Sequence, residues 1–199
     1  MKSSLSSRFL PVAALLLVPA VAQAHPGLPG HVHTGFASGA AHPISGVDHI
    51  LAMVAVGLWA VQLGRRALWA VPASFVSLMV LGSALGMSGF HLPFVEQGIL
   101  ASVFVLGLLI ATAARVPLAA SMLMVGAFAL FHGVAHGTEM PVNAGGVTYA
   151  VGFALSTALL HAAGIGAGVL AGRVVRTEWL RIAGGAIMAG GCAMALGWI

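Results

Sequence analysis

The sequence carries very little charge. Only 6% of its 199 residues are charged, 60% are hydrophobic, and the mean hydropathy is +1.05. Soluble domains carry about 25% charged residues, so the chain lacks the polar surface that a soluble enzyme needs. Eight Lys and Arg residues stand against four Asp and Glu residues, and they form no basic cluster of the kind that binds nucleic acid. The composition therefore predicts an integral membrane protein that contacts the lipid bilayer and binds no nucleic acid.

Cysteine is also nearly absent. The one cysteine, Cys192, lies inside an apolar stretch, which excludes an internal disulfide framework, a CxxC redox pair and a thiolate zinc site. The chain has no GxxxxGK[ST] motif, so ATP is not a direct energy source within it. Nine histidines remain, an unusual number for so apolar a sequence.

Residues 1–24 have the pattern of a secretory signal peptide. Two basic residues precede a short apolar run over residues 9–18, and Ala-Gln-Ala at 22–24 is an A-x-A cleavage site. The run is too short to be a membrane span of ~20 residues. We expect cleavage after residue 24, leaving a single domain over residues 25–199.

Six further apolar stretches are each close to the ~20 residues that cross ~30 Å of hydrocarbon. They cover residues 46–63, 67–88, 96–114, 117–136, 147–172 and 179–198. The predicted fold is an all-α integral membrane protein with six transmembrane helices after a cleaved signal peptide.

The arginines predict the orientation of these helices. After residue 24, all of them fall in the connections that an exported N-terminus would place in the cytoplasm, as the positive-inside rule requires. They are Arg65, Arg66, Arg115, Arg173, Arg176 and Arg181. The predicted location is the bacterial inner membrane, with both ends of the mature chain in the periplasm.

The histidines follow the opposite pattern, because none lies in a predicted cytoplasmic connection. Eight of them fall on or near the outer face and one lies near the middle of the fifth helix. The outer set is His25, His31, His33, His42, His49, His91, His132 and His136, and the deeper one is His161.

The segment HPISGVDH, from His42 to His49, is the first candidate site. Pro43 is expected to fix the chain before the first membrane helix, with Asp48 and His49 in the helix's first turn. An alternative function for Asp48 is structural, because Ser45-x-x-Asp48 also has the form of a helix capping box.

The segment FHGVAHGTE, from Phe131 to Glu139, is the second candidate site. His132 and His136 are four residues apart and share one helix face, a spacing that lets two imidazoles bind one metal ion. They could instead be ordinary hydrogen-bonded histidines.

His161 is a third candidate, with Thr157 one turn before it at bilayer depth. It is interpreted as a deeper relay, or alternatively as one partner of an interhelical hydrogen bond. Met53, one turn below His49, offers a thioether. Polar groups in membrane spans are costly and by default functional.

Imidazole and carboxylate without thiolate suit a divalent borderline metal, namely nickel, cobalt, zinc or copper(II). Histidine releases its metal on protonation, which suits transport better than storage.

The segments HPISGVDH-ILAMVAVGLWA and FHGVAHGTE resemble the HupE/UreJ family of nickel permeases, and the resemblance extends over the whole mature chain. It implies secondary transport of nickel, or of cobalt as in some suspected members, to supply hydrogenase or urease maturation. It carries a metal-site function onto His42, Asp48, His49, His132, His136 and Glu139.

The resulting expectation is inward transport of Ni²⁺, with no enzyme activity and no cofactor beyond the transported ion. The alternative is an intramembrane zinc hydrolase that uses Ser45, Asp48 and the histidines, since such an enzyme needs a closed ligand set and an activated water.

Overall fold

The computed structural model describes residues 35–140, 145–174 and 178–199. The predicted signal peptide, His25, His31, His33 and Arg176 lie outside these residues. The described chain is all α-helical. Its seven helices are α1 (Phe36–Ser45), α2 (Val47–Leu63), α3 (Ala67–Met87), α4 (Val95–Thr112), α5 (Leu118–Glu139), α6 (Gly146–Val174) and α7 (Glu178–Ala195).

Helices α2 to α7 coincide with the six predicted apolar stretches. Four of them, α3 to α6, are long and apolar enough to cross a membrane, and α1 with α2 is a fifth candidate that bends by 85° at its break. Helix α7 begins with Glu178, carries Arg181 in its first turn and contains four glycines, so it is less apolar than α2 to α6. Length and composition therefore support four spans in the described residues, or five with the bent pair.

Helix α1 was not expected. Pro43 lies inside this helix, and the chain breaks instead at Gly46, whose extended backbone (φ −101°, ψ 128°) separates α1 from α2. The capping-box interpretation is wrong for this segment. The N-cap of α2 is Gly46 rather than Ser45, and no side chain accepts a hydrogen bond from the first N–H groups of the helix as a cap. The Ser45 hydroxyl instead donates to the His42 carbonyl oxygen at 2.7 Å.

Helices α3 and α5 pack closely along a seam of glycines. A Cβ atom added at Gly82 would lie 2.8 Å from the Leu130 carbonyl oxygen, and one added at Gly86 would lie 2.5 Å from that of Val134. Gly133 and Gly137 face α3 in the same way. Glycine faces let membrane helices approach backbone to backbone, where van der Waals packing holds them together.

A second seam joins α2 and α6. A Cβ at Gly57 would collide with the His161 carbonyl oxygen, and one at Gly164 with that of Val54. Gly168 also packs on α2, against Val61, whereas Gly172 has nothing within 4 Å. The face of α6 that packs on α2 therefore includes Gly164 and Gly168, whereas Gly172 lies outside it.

The outer surface of the bundle is apolar. Large hydrophobic side chains point outward on several helices, including Trp69 at 68%, Leu123 at 75% and Leu159 at 61% exposure. Such side chains suit a lipid environment, in which helix exteriors need no polar coat. The described fold is that of a multi-pass membrane protein.

The α3–α5 seam gives the first prediction. Gly133→Ala should destabilise the protein by about 1–3 kcal/mol, the usual cost of overpacking, because the new Cβ meets the backbone of Met79. The matched control is Gly166→Ala, where nothing lies within 4 Å. Thermal unfolding in detergent measures both variants, and equal midpoints would show that the seam tolerates a side chain.

Candidate metal centre

Three imidazoles meet where the first turn of α2 faces the last turns of α5. His49, His132 and His136 are 5%, 0% and 3% exposed. His132 Nδ1 lies 2.9 Å from His49 Nε2, and His136 Nε2 contacts the same His49 atom. The structure brings together one nitrogen from each ring, all within 4.8 Å of one another. We call these three residues the inner cluster.

The glycine seam positions two of the three rings. In α5 each histidine directly precedes a seam glycine, so that Gly133 and Gly137 face α3 while His132 and His136 project from the adjacent face. Successive helical residues differ by about 100° in direction, from 3.6 residues per turn. The i, i+4 spacing then stacks both rings toward α2.

Asp48 does not point among the converging nitrogens. Its Oδ1 lies 3.1 Å from His49 Nδ1, the ring nitrogen on the far side from the inner cluster. A carboxylate in this position accepts the Nδ1–H of His49 and leaves Nε2 as a lone pair, the arrangement found behind many metal-ligating histidines. The geometry makes Asp48 an orienting partner of His49.

Ser102 of α4 does the same for His132. The Ser102 hydroxyl lies 2.6 Å from the Ile99 carbonyl oxygen and 2.9 Å from His132 Nε2. A carbonyl oxygen can only accept, and a hydroxyl carries one hydrogen, so Ser102 donates to Ile99. It accepts from His132 Nε2–H, which leaves the lone pair of His132 on Nδ1, facing His49.

Glu139 stands behind the third ring. Its Oε2 lies 3.7 Å from His136 Nδ1, longer than a hydrogen bond, and 3.5 Å from His42 Nε2. The outward nitrogens of His49 and His132 thus each face an oxygen, whereas His136 Nδ1 has no hydrogen-bond partner in the described residues. The lone pairs of His49 Nε2 and His132 Nδ1 therefore face each other. Lone pairs this close repel unless a proton or a cation lies between them.

His42, His136 and Glu139 form a second group of donors, which we call the outer cluster. One donor atom from each lies within 4.8 Å of the others. The side chains of His42 and Glu139 are 31% and 56% exposed, and a surface pocket lined by α1 opens beside His42. His136 belongs to both clusters, with Nε2 in the inner one and Nδ1 facing the outer one.

His161 joins neither cluster. It is 1% exposed, and neither ring nitrogen has a hydrogen-bond partner among the described residues. The alternative of an interhelical hydrogen bond is therefore wrong in this structure. Met53 is fully buried in the core.

Ser102 is the residue that sequence reasoning missed. It lies in an apolar helix, 30 positions from its partner His132, and outside both motifs. The only available signal was its polarity within a predicted span, since such groups are costly in a membrane.

The hydrogen bonds of Ser102 predict the tautomer of His132. Nitrogen NMR of ¹⁵N-histidine-labelled protein should find the proton on Nε2 of His132. Ser102→Ala should shift it toward Nδ1, because Nε2–H then has no acceptor and an unpaired buried donor costs about 1–3 kcal/mol. Ser102→Thr, which keeps the hydroxyl, should restore the original signal.

A matched control is Ser121→Ala, since that buried serine bonds only to backbone carbonyl oxygens. It should leave the His132 signal unchanged. An unchanged spectrum for Ser102→Ala would contradict the assigned hydrogen-bond direction.

Comparisons with known proteins bear on this site as a whole. The sequence model of the family described as HupE / UreJ protein matches residues 13–194. Protein HupE of Rhizobium leguminosarum bv. viciae is 44% identical over 195 residues, which cover 96% of this chain and 98% of that protein. No solved structure is significantly similar to the chain. The family match over most of the length, together with this relative, establishes that the chain belongs to the HupE/UreJ family.

Proposed function

We propose that this protein imports a divalent transition-metal ion, foremost Ni²⁺, across the bacterial inner membrane for hydrogenase or urease maturation. The observation that carries the proposal is the inner cluster, where three buried imidazole nitrogens converge and an oxygen behind the ring orients two of the three histidines, His49 and His132. Neutral imidazoles in this number suit a borderline divalent ion, and Co²⁺ fits the same donors.

The two clusters suggest a stepwise path. The outer cluster is half-exposed and contains the Glu139 carboxylate, so it would capture a hydrated cation first. His136 has one nitrogen facing each cluster, so the ion would pass inward by exchanging ligands around a ring that stays in place. The carboxylate and waters left behind would be replaced by the imidazoles of His49 and His132.

The proposed permease has six spans, formed by the bent pair α1–α2 and by α3 to α7. Helix α7 would be the sixth, because it packs antiparallel along α4 through Gly107 and Gly184. Both clusters lie at one end of the bundle. The arginines of the α2–α3 and α4–α5 connections, Arg65, Arg66 and Arg115, lie at the opposite end, which the positive-inside rule assigns to the cytoplasm.

This orientation puts the clusters at the periplasmic face, with the ends of the mature chain on the same side. A membrane potential that is negative inside would then favour cation import by ~2.3 kcal/mol per charge per 100 mV.

The hydrolase alternative has no support in the site. Ser45 is exposed and its hydroxyl is bonded to the His42 carbonyl oxygen. Ser102, which does touch the inner cluster, directs its proton to the Ile99 carbonyl oxygen. In the described residues no histidine side chain is within hydrogen-bond reach of the Ser45 hydroxyl, so Ser45 is neither a member of the inner cluster nor an activated nucleophile.

The test of the proposal is radiolabelled nickel uptake in cells that lack other nickel importers. His132→Ala and His136→Ala should each abolish uptake at low metal concentration, because each removes a donor from the inner cluster. The double variant should be no worse than either single one, since residues that act as a unit are non-additive.

His91→Ala is the matched control, because this exposed histidine lies outside both clusters and should transport normally. Immunoblots of membrane fractions serve as the control for insertion of each variant. Full uptake by the His132→Ala variant would overturn the proposed function.

A further prediction separates the role of Asp48 from that of Ser45. Asp48→Asn keeps the side chain's shape but removes the charge that holds His49 Nδ1–H, so uptake affinity should fall about 10–100-fold, the usual loss when an outer partner of a ligating histidine is changed. Ser45→Ala should transport normally, because it loses only an exposed bond to backbone. Equal and small effects in the two variants would remove Asp48 from the site.

A further inference from the structure

The deeper part of the bundle contains a buried polar group that the two clusters leave unexplained. His161 is 1% exposed and both of its ring nitrogens lack hydrogen-bond partners in the described residues. Buried polar groups are nearly always paired, and each exception needs a reason such as a bound ion or water. An imidazole in this state offers one free lone pair.

The position of His161 places it below the inner cluster. Its backbone packs on Gly57 of α2, which is eight residues from His49 and therefore ~12 Å further along that helix. Side chains on a helix lean toward its N-terminus, and the N-terminus of α6 lies at the cluster end of the bundle. The His161 ring therefore leans back toward the inner cluster.

A thioether lies beside the same face of α6. The Thr157 hydroxyl, one turn before His161, donates to Met79 Sδ at 3.6 Å, and both Thr157 and Met79 are fully buried. Thioether sulfur is a soft donor that binds soft and borderline transition-metal ions, whereas Mg²⁺ and Ca²⁺ prefer oxygen ligands. An imidazole and a thioether from two neighbouring helices therefore lie at this depth.

Phe75 contacts both the inner cluster and His161. Its ring centroid lies 5.7 Å from that of His132 and 5.2 Å from that of His161, where the two rings meet edge to face. Phe75 and Met79 are four residues apart on one face of α3, and Phe75 is fully buried. One aromatic ring thus contacts both a histidine of the inner cluster and His161.

We propose that His161 and Met79 form a second, transient site for a borderline or soft divalent transition-metal ion, which the ion reaches past the Phe75 ring. This inference rests on the proposed transport function and adds the next step of the path. With one imidazole and one thioether, the site binds more weakly than three imidazoles, and conduction requires sites that release the ion as well as bind it. The step is ligand exchange alone, with no covalent or redox change.

The experiment compares nickel uptake in cells with equilibrium nickel binding to the purified protein in detergent. His161→Ala should lower the maximal uptake rate by about tenfold or more, the usual scale for a lost metal contact, and leave the affinity of the inner cluster unchanged. His132→Ala should lose both nickel uptake and nickel binding. His91→Ala, again the matched control, should keep both.

Met79→Leu tests the site without a change in polarity or much change in volume, since Leu and Met exchange well in cores. It should slow nickel uptake several-fold and leave binding intact, whereas Met124→Leu, a partly buried methionine elsewhere on the core, should transport normally. If the His161→Ala protein fails to insert into the membrane, uptake by Met79→Leu still tests the second site.

The outcomes separate this inference from the function on which it rests. Normal uptake by His161→Ala or by Met79→Leu, combined with loss in His132→Ala, overturns the second site and leaves the transport function standing. Loss of nickel binding in His161→Ala as severe as in His132→Ala also overturns it, because His161 would then support the inner cluster. Absence of uptake by the unaltered protein overturns the transport function itself.

Discussion

The close approach of α3 and α5 is the constraint on which the inner cluster depends. In lipid no hydrophobic force drives helices together, so the contact must come from backbones that fit closely. Gly133 and Gly137 provide that fit on α5 and alternate with the two histidines in the order His-Gly and His-Gly. The motif that supplies two of the candidate metal donors therefore also supplies the packing surface, and neither can shift without the other.

The bend at Gly46 is the second constraint, because it sets where His49 points. The chain turns by 85° between α1 and α2, so α2 begins inside the bundle with His49 buried in its first turn. A Cβ at Gly46 would lie 2.6 Å from Asp48 Oδ1 and 3.2 Å from His49 Nδ1. The glycine therefore also leaves room for the carboxylate–imidazole contact that orients His49.

Most of the fold could be predicted from the sequence, because apolar length is a strong signal in membrane proteins. All six predicted stretches are helical in the structure. Helix α1 could not be found in this way, since a proline at position 43 argues against helix. What holds α1 in place is its contact with α6, where Gly39 and Gly152 face the other helix and the Ser156 hydroxyl bonds to the Ala40 carbonyl oxygen at 2.7 Å.

The candidate site was predictable to a different extent. The i, i+4 pair in α5 and the shared outer depth of His49 were readable from spacing, since a regular helix fixes which side chains share a face. The roles of Asp48 and Ser102 could not be predicted from spacing, because their contacts with the outward ring nitrogens of His49 and His132 depend on how each ring is oriented. No feature of the sequence distinguishes Phe75 from the other phenylalanines, and only its ring contacts with His132 and His161 in the structure do so.

The arrangement of charge explains why the proposed path is graded. A divalent ion is costly to strip of water in a low-dielectric interior, and a carboxylate at the outer cluster offsets that cost where water is still present. Deeper in, the donors that would face the ion are the imidazoles of the inner cluster, and the Asp48 carboxylate stands behind His49. A carboxylate directly on the ion at that depth would hold it more tightly, whereas one placed behind the imidazole strengthens the ligand and still permits release. Keeping the full negative charges out of the inner cluster is therefore the feature that best distinguishes a site built for passage from one built for retention.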